Sequence, residues 1–143
     1  MGTRIEMNEE QLMEHLRHAV YVRAMPTPNG GVGVFAIRDI PEGTNPFGED
    51  GITYLPIPVD AIFDDPEIPD TVKKYVKDMC AREGGLFYIP SCGLNNIGPS
   101  YYVNHSRTPN LVTPDKGENF IICRQVKAGE ELTIDYRTYS DEN

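Results

Sequence analysis

Turn-forming residues interrupt this chain so often that no long strand can run through most of it. Thirteen glycines and twelve prolines fall among 143 residues. Many arrive as turn signals: Asn29-Gly30-Gly31, Pro41-Glu42-Gly43, Gly84-Gly85, Asp115-Lys116-Gly117 and Lys127-Ala128-Gly129. Glycine supplies positive φ, and proline fixes φ while removing a donor, so each cluster ends the element before it. Between them lie short β-type runs at Tyr21–Met25, Val32–Arg38, Leu86–Ile89, Leu111–Thr113, Phe120–Val126 and Leu132–Tyr136. The apolar pieces Ile52–Ile57 and Val59–Phe63 are read as further short strands. Two stretches read as helices instead. Asn8 and Gln11 match a capping box ahead of a stripe at Leu12, Leu16, Ala19 and Val20. Asp70–Glu83 places Val72, Tyr75, Val76, Met79 and Cys80 on one face, with Gly84-Gly85 as its stop. The expected class is α+β, mostly β, with two helices.

This length suits one domain around a single core. A net charge of −9 argues against binding nucleic acid through its phosphates and favours a basic partner, although acidity can also serve solubility alone. No run is long enough for a transmembrane helix, and the N-terminus lacks the layout of a signal peptide, so an intracellular protein is expected. Cys80, Cys92 and Cys123 are odd in number, widely spaced and without a CxxC pair, which supports neither a disulfide framework nor a metal site. His15 and His18 share a helix face but have no third ligand near them, and polar-face residues are the simpler reading. Asn104-His105-Ser106 matches a glycosylation sequon, a coincidence in a chain read as intracellular.

Three segments carry more information. GGVGVFA at Gly30–Ala36 allows close backbone approach at its glycines, which serves either a plain hairpin turn or contact with a polar cofactor. It is not a dinucleotide fingerprint, because it opens a strand and lacks the third glycine. NHSRTPN at Asn104–Asn110 offers a side-chain amide in Asn104, able to donate and accept, beside a histidine. EELTIDY at Glu130–Tyr136 ends a strand in a tyrosine, which by itself reads as a core residue.

In this order and spacing the three segments resemble the SET domain, the fold of S-adenosylmethionine-dependent protein lysine methyltransferases. Its signatures are GxGxFA, NHSxxPN and ELTxDY. The resemblance implies a SET domain over residues 20–143 after an N-terminal helical extension at 1–19, with several short-stranded sheets and a C-terminal pseudoknot that brings Tyr136 beside Asn104. It makes Tyr136 the catalytic residue. It assigns Gly31, Val32, Gly33, Tyr102, Asn104 and His105 to S-adenosylmethionine, His105 largely through its backbone. Tyr88, Tyr101, Ile134 and Tyr139 become candidates for a lysine channel. Ser106, Pro109 and Asn110 are read as turn-makers, and Glu131 and Asp135 as strand-positioning residues.

Many relatives have cysteine where Arg107 stands and continue into a cysteine-rich zinc segment. The match is therefore to a minimal SET domain with no metal, its channel either left open or closed by the N-terminal helix, the tail with Tyr139, or a second subunit in a homodimer. Ile134 replaces an aromatic residue found in many relatives, which suggests room for more than one methyl group. The implied substrate is a basic protein segment such as a histone tail, with a nuclear location if the source is eukaryotic. The alternative is an inactive SET-like module that binds a peptide or partner.

Overall fold

The computed structural model describes residues 6–48 and 53–140. Helix α1 (Glu9–His18) begins at Asn8, whose side chain accepts from the Gln11 N–H while Gln11 reaches back to the Asn8 N–H. The anticipated capping box is thus present. The helix buries none of its residues, and Leu12 and Leu16 are 47% and 60% exposed. Its C-terminal end is tied by Arg38, which donates to the Arg17 carbonyl. No helix among the described residues is long and apolar enough to cross a membrane.

The main sheet joins β1 (Val22–Pro26), β2 (Val32–Ala36), β9 (Glu131–Ile134) and β6 (Asn104–His105) in the order β1-β2-β9-β6. β1 and β2 form an antiparallel hairpin, and β2 pairs antiparallel with β9. β6 runs parallel to β9, with Asn104 opposite Thr133 and His105 opposite Ile134. A parallel pair needs a long crossover, which here carries the small hairpin of β7 (Leu111–Val112) and β8 (Ile121–Ile122) in place of a helix. Val34, Ala36, Ile40, Val103, Leu111, Ile122, Val126, Leu132 and Ile134 form the main core beneath this arrangement.

A second layer contains β3 (Tyr54–Pro58), β4 (Arg82–Glu83) and β5 (Leu86–Pro90) in the order β3-β5-β4, with α2 (Val59–Phe63) and α3 (Asp70–Met79). It encloses a smaller cluster of Ile62, Val76, Cys80 and Phe87, so the buried residues form two groups and not one core. Three expectations are modified in this layer. The run beginning at Ile52, itself outside the described residues, becomes β3 from Tyr54. Val59–Phe63 is a helix, not a strand, and buries Ile62. A short apolar run has no periodicity to separate these two outcomes.

The third concerns Asp70–Glu83, whose helix ends at Met79. Gly84 and Gly85, both at positive φ (61° and 78°), turn a tight β4–β5 hairpin in which Glu83 faces Leu86. Positive φ at both turn positions is the signature of the commonest two-residue hairpin, so the glycine pair ends no helix but closes a ribbon.

Candidate active site

Residues between β5 and β6, and those after β9, converge on one region. A 3-10 turn at Pro99–Tyr102 leads into β6, and another at Tyr136–Thr138 follows β9. β6 is only two residues long and pairs with the C-terminal half of β9, Asn104 opposite Thr133 and His105 opposite Ile134, so the start of β6 and the end of β9 lie side by side. The Tyr136 N–H donates to Nδ1 of His105 at 3.0 Å, and the two rings lie 5.2 Å apart between centroids. The Tyr136 hydroxyl donates to the Val103 carbonyl. The ring remains 38% exposed. Burial and, secondarily, the charge of Glu131 raise the phenol above its ordinary pKa, so it stays protonated at neutral pH.

The aromatic contacts continue edge to face, from Tyr136 to Tyr139 at 6.1 Å and from Tyr139 to Phe120 at 5.8 Å. Burial drives the Tyr139 phenol further up, well above the normal tyrosine range. Asp135 precedes the turn and fixes its start, accepting from the Arg137 N–H at 3.0 Å and from the guanidinium Nε at 2.9 Å. That guanidinium hydrogen bond holds the carboxyl well below the usual carboxylate range.

A cavity of about 1380 Å³ opens between the two layers. Tyr88, Tyr101, His105, Tyr136 and Tyr139 line it, joined by Val103 and Phe120. Three contacts involve residues of its lining. Lys116 pairs with Glu83 at 3.0 Å, Ser140 Oγ accepts from the Arg82 N–H at 3.0 Å, and Gly117 packs against the Tyr139 ring. The tail with Tyr139 therefore forms part of the wall, whereas α1 contributes no lining residue.

The remaining sequence-derived site residues lie elsewhere. Asn104 is beside the glycine segment, its Nδ2 donating to the Val32 carbonyl at 3.0 Å and to Glu131 Oε2 at 2.8 Å. This contact joins all three signature segments. Gly31, Val32, Gly33 and Tyr102 do not line the cavity, and Tyr102 packs against the main core. Ile134 is fully buried in that core and faces no open space.

Two residues have fuller roles than their sequence context suggests. Asn110, read as a turn-maker, is 1% exposed, and its side chain substitutes for a strand. It donates to the Glu131 carbonyl at 3.0 Å and accepts from the Thr133 N–H at 2.9 Å. Glu131, read as a strand residue, directs its carboxylate to Asn104. Neither partnership has a local signal, because each spans more than twenty residues. Among the described residues, no three His, Cys, Asp or Glu side chains converge in a way that could hold a metal ion.

The SET-domain family model matches residues 31–137, which include Asn104–Asn110, Glu130–Tyr136 and all of the first segment but Gly30. The chain belongs to the SET-domain family. Its small sheets, mostly β content and the three α-helices among the described residues agree with that fold. Among solved structures, a Plasmodium falciparum protein described as a "putative histone methyltransferase" is similar at 18% identity, covering 81% of this chain and 92% of that one with a TM-score of 0.46. No individually curated protein matches this SET domain in sequence.

Proposed function

We propose that this SET domain is a protein-lysine N-methyltransferase that uses S-adenosylmethionine and acts on a basic segment such as a histone tail. The observation that carries the reading is the convergence of the signature segments at Asn104 and Tyr136, beside a cavity walled by tyrosines.

The residues present suit the methyl donor. The Asn104 amide oxygen accepts no hydrogen bond among the described residues, so it is available to the ammonium of an amino acid. Asn104, the Gly31–Gly33 main chain and the His105 backbone would hold the donor, with Tyr102 a further candidate. When bound, S-adenosylmethionine supplies a methyl group activated on a sulfonium.

The chain's own part is alignment. Tyr136 keeps its proton and directs it at Val103, so its oxygen retains lone pairs and does not act as the base. Those lone pairs can orient the amine and accept weak bonds from a polarised methyl. The target amine must arrive neutral, its proton having passed to solvent. His105 Nδ1 is engaged by the Tyr136 N–H, which argues against a proton-abstracting role for that nitrogen. Tyr88, Tyr101 and Tyr139 offer aromatic faces to an aliphatic stem with a cationic tip.

Charge supports a basic substrate. Asp78, Glu83, Asp115 and Glu118 line the cavity against Lys77 and Lys116, within a chain of net charge −9. The test is methyl transfer from S-adenosylmethionine to histones and to a basic-peptide array, read by mass spectrometry. Tyr136→Phe should lower kcat about 100-fold, the range expected for lost alignment of reacting groups. Undiminished turnover in that variant would rule out the role given to Tyr136. Calorimetry showing no binding of S-adenosylmethionine would favour a non-catalytic peptide-binding module.

A further inference from the structure

Glu131 is a half-buried carboxylate without a cationic partner among the described residues. It is nonetheless held from several directions. Its backbone pairs with Phe35 across β2 and β9, and its carbonyl accepts from Asn110. Its carboxylate lies against Gly33 so closely that a Cβ there would be 2.5 Å from Oε2. Gly33 has ordinary strand geometry, so what it provides is space for this carboxylate.

The Asn104 amide is oriented by the same contact. Its nitrogen faces the Val32 carbonyl and Glu131 Oε2, groups that only accept. The NH₂ must therefore point at them and the oxygen away. The outcome is a pair of acceptors at the junction of β2, β6 and β9, an amide oxygen and a carboxylate with no cationic partner among the described residues. Such a set suits an ammonium and repels a carboxylate.

We propose that Glu131 is a binding and positioning residue for an ammonium ligand: it turns the Asn104 oxygen outward, and the two acceptors together take the α-ammonium of the methyl donor's amino-acid end. The inference rests on the methyltransferase reading and adds to it the residue that selects this end of the donor.

The test is calorimetry on the full chain with S-adenosylhomocysteine and its des-amino analogue. Glu131→Gln keeps the side chain's size and removes its charge. It should weaken S-adenosylhomocysteine about ten- to hundredfold, as for loss of a charge-assisted hydrogen bond, while moving the des-amino analogue less than about twofold. Gly33→Ala, which displaces the same carboxylate, should weaken S-adenosylhomocysteine similarly, and the double variant should lose much less than the product of the two. Equal weakening of both ligands, or unchanged S-adenosylhomocysteine binding by Glu131→Gln, would overturn the ammonium role of Glu131 alone. Absence of binding by the unsubstituted protein would overturn the methyltransferase reading and the role of Glu131 with it.

Discussion

His105 and Tyr136 are joined by a hydrogen bond from the Tyr136 backbone N–H to the imidazole Nδ1, 3.0 Å long and spanning 31 positions. The histidine side chain is thus an anchor for the start of the turn that carries the candidate catalytic ring. The bond requires Nδ1 to be unprotonated, which leaves Nε2 as the N–H of the neutral ring.

Replacing His105 with Ala should leave the Tyr136 N–H without its acceptor and let the ring move. A stability loss of about 1–3 kcal/mol is expected from the missing partner and packing. A fall in kcat exceeding the fall in apparent donor affinity should accompany it, because the proposed donor contact at this position is made by the backbone. Urea denaturation and steady-state kinetics measure the two. Unchanged kcat would show that the anchor does not matter to turnover.

Asn110→Ala should be among the most destabilising single changes in the main core. It strands the Glu131 carbonyl and the Thr133 N–H, each costing about 1–3 kcal/mol when buried and unpaired. A total of about 2–4 kcal/mol by urea unfolding is expected. Asn110→Leu should be no better, since bulk cannot replace the two hydrogen bonds. Near-native stability in either variant would contradict the strand-surrogate role.

Stability should fall on the alkaline side. Burial raises the folded-state pKa of Tyr139 and Tyr136 above the ordinary tyrosine value of 10.0. A raised folded-state pKa means that the native state holds its proton more tightly, so the contribution is complete below about pH 10 and is lost as pH rises further. Urea midpoints between pH 9 and pH 11 should decline. Tyr139→Phe should decline less steeply, because it retains the ring and removes the ionisable group.

The three thiols should separate by reactivity. Cys80 is buried in the smaller cluster, and burial pushes its pKa up to about 11, whereas Cys92 and Cys123 are exposed. Thiolate is the reactive species, so at neutral pH two cysteines should label quickly with a maleimide and the third only after unfolding. Rapid labelling of all three in the native protein would indicate that the second layer opens readily.

Periodicity in the sequence anticipates α1 and its capping box, yet it cannot say whether anything covers the stripe, and Leu12 and Leu16 remain exposed. Val59–Phe63 was too short to reveal its period, and packing of Ile62 into the smaller cluster accompanies its helical form. Gly84-Gly85, expected as the stop of a helix, instead turns a hairpin. Whether it ended a helix or turned a hairpin depended on β4 finding β5. At the candidate site, Asn104, His105 and Tyr136 were legible through the resemblance. Glu131 and the bridging amide of Asn110 were not, because their partners are distant in sequence.

The sequence by itself determined the turns, the short strands, the N-terminal cap and the family to which the chain belongs, all of which depend on residue type and local spacing. Only the tertiary structure decided that β6 lies parallel to β9, and therefore that Asn104 reaches Val32 and Glu131 while His105 reaches Tyr136. A parallel pair closes through a long crossover whose stability lies in nonlocal packing and in buried polar groups finding their partners. Local propensity contains no record of which strand will be the neighbour.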